Sequence, residues 1–198
     1  FLKKYFNYVI YAGLNSLNAK YDQVLCESLQ ATEAALEYLI GLGHTQIAYV
    51  GETKNEERYT GYLATLRKHN IPIRNEFISH VMLSSEGGYN GTKTLLSRTQ
   101  DMTAIFCPND LTAIGAMRAL QESGFKIPAD VSVISIDDID TAQYLSPMLT
   151  TIHVPLDEMG QTAAKILIDR IQGGHHLPMK ISLPFYLAVR ESCAAPRK

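Results

Sequence analysis

Short apolar runs alternate along this chain with longer segments whose apolar residues recur every three or four positions. A run of that length bounded by turn signals reads as a strand buried on both faces, and the longer period reads as an amphipathic helix. The runs QIAYVG (46–51), FISHVM (77–82), AIFCP (104–108), VSVISI (131–136) and LTTIHV (149–154) are therefore predicted strands. Helices are predicted between and after them, at 28–40, 58–69, 84–98, 109–124 and 157–172. The fourth is the clearest: Leu111, Ile114, Met117 and Leu120 keep the period, Asn109 or Asp110 caps its start, and Gly124 supplies a left-handed stop. The third is less regular, because Gly87, Gly88 and Gly91 each cost about 1 kcal/mol against alanine inside a helix. Strands alternating with helices in this way imply βαβ units and a parallel sheet, so the fold class is α/β.

Both ends of the chain depart from that rhythm. The runs 8–12 and 23–26 read as strands joined by the polar connection LNSLNAKYD with no helix between them. They form either a hairpin edge or a pair whose sheet partners lie elsewhere. The last run, 181–189, is long enough for a strand that passes from one layer to another.

Chemistry concentrates where the predicted strands stop. The run 131–136 ends abruptly at Asp137 and Asp138. In open parallel sheets, ligands sit beyond the carboxyl ends of the strands. Arg58 follows the strand 46–51, Asn109 follows 104–108, and Asp137 follows 131–136. If these ends share one edge, an arginine fork, an amide and a carboxylate converge on one crevice. That set suits a polyhydroxylated ligand, because it offers donors and acceptors to neighbouring hydroxyls. The blander alternative is that Asn109 only caps its helix and Arg58 only pairs with Glu56 or Glu57. Asp137 and Asp138 could also bind magnesium, as in phosphoacceptor domains, although those use acids at several strand ends and here the others carry Gly51 and Pro108.

Composition narrows the classes. A chain of 198 residues, 46% hydrophobic and 19% charged, is an ordinary globular composition with enough apolar residues for a real core. With 18 Lys+Arg against 20 Asp+Glu it lacks the basic excess that would neutralise many phosphates, so any contact with DNA falls to another segment. Cys26, Cys107 and Cys193 have no CxxC spacing, which argues against a disulfide framework or zinc site and for a reducing compartment. His175 and His176 lie among Gly173, Gly174 and Pro178 and read as a solvated turn, and His44 as a loop residue that satisfies backbone groups. No metal or cofactor is expected, and the common catalytic motifs are missing. No run approaches a membrane span or a signal peptide, and Phe1 in place of a start methionine suggests a piece of a longer protein.

Taken together, ALEYLIGLGHTQIAYVG, ERYTGYLATLRKHNIPI, the long block from FCPNDLTAIGAM through DVSVISIDD to LSPMLTTIHVPLDEMGQTAAKILIDRI, and LAVRES resemble the effector-binding core of LacI/GalR-type bacterial transcriptional regulators. The resemblance implies a type I periplasmic-binding-protein-like fold: two doubly wound parallel-sheet subdomains joined by crossing hinge strands, the N-terminal one incomplete in this chain. On that reading residues 1–26 are a remnant of the N-terminal subdomain and 27–150 the C-terminal one. Residues 151–178 are a hinge strand and helix that return to the first, and 179–198 cross back. It also implies a cleft that binds a small effector, a helix-turn-helix domain upstream that carries operator DNA binding, a homodimer, a cytoplasmic location and no enzymatic activity. Carried over residue by residue, Arg58 in RYTGY, Asn109 in PND and Asp137 match the family's ligand contacts. Leu83 stands where many relatives place an aromatic ring that stacks on the ligand, and it offers contact area without stacking geometry. Glu52 and Lys54 do not match the polar loop of purine-binding relatives, and Asn109 suits sugar-responsive ones, so a sugar or sugar phosphate is the expected effector. The rival within this fold is a periplasmic sugar-binding protein serving transport, which would carry a secretion signal in place of the helix-turn-helix. A metal-dependent hydrolase or phosphoacceptor is the rival outside it.

Overall fold

The computed structural model describes residues 7–15, 20–54 and 56–197. Residues 16–19 of the predicted polar connection, and Asn55 in the loop before the second helix, lie outside that range. The chain divides into two compact units, one of Phe1–Ser28 with Val154–Phe185 and one of Leu29–His153 with Tyr186–Lys198.

The larger unit is built on a six-stranded sheet. Its strands are β3 (Ile47–Gly51), β4 (Ile78–His80), β5 (Ala104–Phe106), β6 (Ser132–Asp137), β7 (Thr150–His153) and β9 (Tyr186–Ala188). The spatial order is β4-β3-β5-β6-β7-β9, parallel throughout except that β9 runs against β7. Four helices accompany it: α1 (Ser28–Gly41), α2 (Glu57–Lys68), α3 (Ser85–Arg98) and α4 (Asp110–Glu122). Alternate strand residues serve opposite faces. Ala48, Val50, Ile105, Cys107, Val131 and Val133 join one apolar cluster with Leu95, Ala113, Met117 and Leu120 of α3 and α4. Tyr49 and Phe106 sit in the other register, where Tyr49 packs on Phe106 and on Tyr62 of α2. Both faces are covered, which is why β3, β5 and most of β6 read as unbroken apolar runs.

The glycines that count against α3 have a packing reason. A Cβ at Gly88 would run into the carbonyl of Thr112, and one at Gly115 into the carbonyl of Ser85. The helices α3 and α4 therefore touch backbone to backbone, and only glycine allows that approach. Gly124, at φ +86, ends α4 as predicted. The strand predicted at 77–82 is shorter than its apolar run, because Asn75–Phe77 form a 3-10 turn and pairing stops at His80.

The smaller unit holds a three-stranded parallel sheet in the order β1-β2-β8, formed by β1 (Ile10–Gly13), β2 (Asp22–Leu25) and β8 (Lys180–Ser182), with α5 (Leu156–Ile171) against it. Because β1 and β2 are parallel, they are not a hairpin. The run 181–189 is not one strand. It divides into β8 and β9, which belong to different sheets, with Pro184 between them lacking the N–H that a ladder needs. Nor is His175 simply part of a solvated turn, as the exposed His176 beside it is. The His175 ring lies between Asp169 and Asp22, and Asp22, only 2% exposed, also takes both Nε and Nη2 of Arg170. The C-terminus of α5 is thereby tied to the start of β2. His44 behaves as read: it is buried, accepts from Thr103 Oγ1 at 2.8 Å and donates to the Ala194 carbonyl at 2.9 Å.

Candidate functional site

In the larger unit β3, β5 and β6 are adjacent and parallel, so their carboxyl ends share one edge. Gly51 ends β3, and a methyl there would meet the Pro108 ring that follows β5. The two strand ends therefore approach closely. Across that gap Glu56 caps α2, accepting from the Arg58 N–H at 3.0 Å, and both Glu56 oxygens take the Arg58 side chain, Nε at 2.7 Å and Nη2 at 3.0 Å. Arg58 Nη1 donates to the Pro108 carbonyl at 2.6 Å. A guanidinium has five N–H donors. Three are used by these bonds, which leaves one on each terminal nitrogen.

The residue after Pro108 is Asn109, whose Oδ1 caps α4 by accepting from Thr112 N at 3.0 Å. Among the described residues its amide nitrogen has no hydrogen-bond partner. Both modest roles weighed for Arg58 and Asn109, ion pairing and capping, are thus present. Neither exhausts the donors of the residue that performs it.

Asp137 closes β6 with φ +130, and Asp138 comes next with φ +59. Two successive non-glycine residues in that half of backbone space mark a strained turn of the kind that collects at functional sites. Side chains from distant parts of the chain hold the second of them in place. Asp138 accepts from Arg190 Nη2 at 2.6 Å and from His153 Nδ1 at 2.9 Å, and the His153 ring stacks on Tyr186 at 4.5 Å between centroids. Asp138 is therefore tied by its oxygens to β7 and to the residues after β9. Asp137 is not: burial first, then the neighbouring Asp110 carboxylate, push it up to about 7, with Glu56 adding repulsion, while Arg58 and the Asp110 N–H pull it down. Beneath this turn lies Asp110, fully buried, with burial raising its proton affinity and its hydrogen bonds opposing that.

Arg58, Asn109 and Asp137 thus lie at one sheet edge and project donors, an amide and an acceptor along it. Leu83 follows β4, one strand further out on that edge, and is half-buried beside the exposed Met82. Asp137 and Asp138 do not form a paired acidic site, since the oxygens of Asp138 go to Arg190 and His153. Among the described residues no group of three or more His, Cys, Asp or Glu converges as a metal would require. The sequence pattern marked Asp110 only as a possible helix cap and did not single out His153 or Arg190. A signal existed for the first: Ser135 and Thr151 are hydroxyls inside buried strands, and buried hydroxyls need partners.

Residues 36–193 match the family model of a periplasmic binding protein-like domain. The chain is 35% identical over 177 residues to the HTH-type transcriptional repressor PurR of Yersinia pestis (strain Pestoides F), covering 87% of this chain and 52% of that protein. The chain thus spans about half the length of the curated relatives it matches. Among solved structures it is similar to a LacI family transcriptional regulator from Enterococcus faecium with bound ribose, at TM-score 0.89 and 34% identity, covering 99% of this chain and 74% of that one. It is also similar to a sugar-binding transcriptional regulator of the LacI family from Escherichia coli complexed with phosphate, at TM-score 0.82 and 33% identity, covering 93% of this chain and 68% of that one. From the strand order, the donor and acceptor set at the sheet edge and these likenesses together, the chain belongs to the LacI/GalR family of bacterial transcriptional regulators, within their periplasmic-binding-protein-like effector-binding domain.

Proposed function

We propose that this chain binds a small sugar or sugar phosphate at the edge where Arg58, Asn109 and Asp137 meet, and that binding alters the DNA affinity of a helix-turn-helix domain in the whole protein. The observation that carries the reading is the convergence of those three residues on adjacent strand ends, with donors of Arg58 and Asn109 left over. A carboxylate facing a guanidinium and an amide can accept from one hydroxyl while its neighbours donate to the next, which suits a vicinal diol. The spare guanidinium donors suit a phosphate equally, and the ribose and phosphate in the two similar regulators agree with both. Leu83 adds apolar contact without a stacking ring. The chain acts as a binding protein, not an enzyme. It works in the cytoplasm as part of a homodimer, and its effector changes DNA binding only as far as it prefers one conformation of the protein over another.

A thermal-shift screen with ribose, other pentoses and hexoses, and their phosphates tests this. A ligand present at a hundred times its Kd adds about 2.7 kcal/mol, which corresponds to a Tm rise of roughly 5–10 °C for a protein of this size. The rise should vanish in Asp137→Ala. A shift of equal size in that variant, or no shift with any sugar or sugar phosphate, refutes the assignment.

A further inference from the structure

We propose that the buried carboxylate of Asp110 is a positioning residue for the effector site: it clamps the turn that carries Asp137 and so keeps that side chain in its ligand-facing conformation. The inference rests on the reading of Asp137 as a ligand contact and adds what holds it there.

Asp110 opens α4 and is 0% exposed. Its Oδ1 accepts from Ser135 Oγ of β6 at 2.5 Å and from Thr151 Oγ1 of β7 at 2.7 Å. Its Oδ2 accepts from the Ile139 backbone N–H at 2.8 Å, and an N–H can only donate, so that oxygen is an acceptor. The first turn of a helix favours a negative charge there, as do the three donors on its oxygens. The bond to Ile139 is the informative one. Ile139 comes directly after Asp137 and Asp138, the two residues at φ +130 and +59. Such conformations persist only where the surroundings over-determine them. Asp110 fixes the far side of the strained pair through Ile139. A residue that served only to join β6 to β7 would need the bonds to Ser135 and Thr151 and not the one to Ile139.

The groups facing Asp137 are Asp110 from α4, Arg58 from α2, Glu56 from its cap, Asp138 on its own turn and His153, its register partner on β7. Of these only Asp110 both holds the turn and bears a like charge against Asp137. Removing that charge therefore moves a property of Asp137 that loss of a purely structural bond would not.

The decisive variant is Asp110→Asn in the intact protein. Asparagine can still accept from Ile139 through its oxygen and donate to the Ser135 and Thr151 hydroxyl oxygens, so the fold is retained while the charge is lost. In the ligand-free protein, a carbon-13 carboxyl titration, with Asp137 identified by its absence in Asp137→Asn, should place the Asp137 midpoint lower than in the wild type by about one pH unit. Calorimetry with D-ribose at pH 8, where Asp137 is ionised in both proteins, should show binding about tenfold or more weaker, because the bond to the Ile139 N–H changes from a charge-assisted to a neutral one and holds the turn less firmly. Ser135→Ala, which leaves the charged acceptor on the Ile139 N–H in place, should bind ribose as the wild type does. An unmoved midpoint overturns the proposal. So does an equal loss of ribose affinity in Ser135→Ala, or loss of the fold in Asp110→Asn, since either assigns the group to the core. A wild-type protein that does not bind ribose counts against the effector reading, and the carboxyl titration still decides the link between Asp110 and Asp137.

Discussion

Asparagine at position 137 should make the protein more stable at neutral pH while removing its effector response. The carboxyl of Asp137 is pushed up to about 7 in the folded chain from an ordinary value of 3.8, first by burial and next by Asp110. Its proton is thus held more tightly folded than unfolded. Below pH 3.8 both states are protonated and the group costs nothing. As pH rises from there to about 7 the unfolded chain releases the proton and the folded chain keeps it, so stability falls over that window and levels off above it. At 1.36 kcal/mol per unit the penalty is under about 1 kcal/mol at pH 4, about 2 at pH 5 and about 4 at pH 8. The Asp137→Asn variant carries none of it, and asparagine tolerates positive φ nearly as well as aspartate, so the backbone at +130 is not an added cost. Urea unfolding of wild type and Asp137→Asn at those three pH values measures the difference. A gap that widens with pH by roughly 2 kcal/mol or more between pH 5 and 8 supports the raised proton affinity of Asp137. A gap that is constant with pH, or a variant less stable at pH 8, refutes it, because Asp137 would then be ionised and stabilised by Arg58. The same protonation bears on binding: a carboxylate that accepts sugar hydroxyls must be ionised, so affinity should rise with pH up to about 7 and flatten above it.

Two further outcomes concern the framework. Gly115→Ala forces a Cβ into the carbonyl of Ser85 and should cost about 1–3 kcal/mol or more, read as a lower Tm, whereas Gly160→Ala, with open space around it, should not destabilise. In the smaller unit, Asp169 first and then Asp22 raise the proton affinity of His175 against burial and Arg170. That stabilisation is complete below the ordinary histidine value of 6.5 and is lost as pH rises through the higher folded value, so His175→Gln should lower Tm more at pH 5.5 than at pH 8.5, and an equal drop at both would refute the charge pairing.

The order of strands and helices, and the edge on which chemistry collects, were legible in the amino-acid sequence because they depend on local pattern. Apolar runs such as IAYVG and VSVISI can be satisfied only as strands covered on both faces, and parallel connection then sends every strand end to the same side. Arg58, Asn109 and Asp137 could be picked out on that basis alone. Three things could not. The run 181–189, expected to pass between layers, does so as two separate strands, because which neighbour a strand meets, and where pairing stops, is a matter of position in space. The glycines of α3 weaken a helix when read locally and permit the contact with α4 when read in three dimensions. Most of all, the contacts that set Asp137 and Asp138 apart were hidden, although the resemblance already singled out Asp137. Adjacent and chemically identical in the chain, they differ because Arg190 and His153 reach one, and Asp110 lies under the other, from positions 52, 15 and 27 residues away. Proton affinity is set by burial and by charges a few ångströms off, and those distances exist only once β6, β7 and α4 have packed.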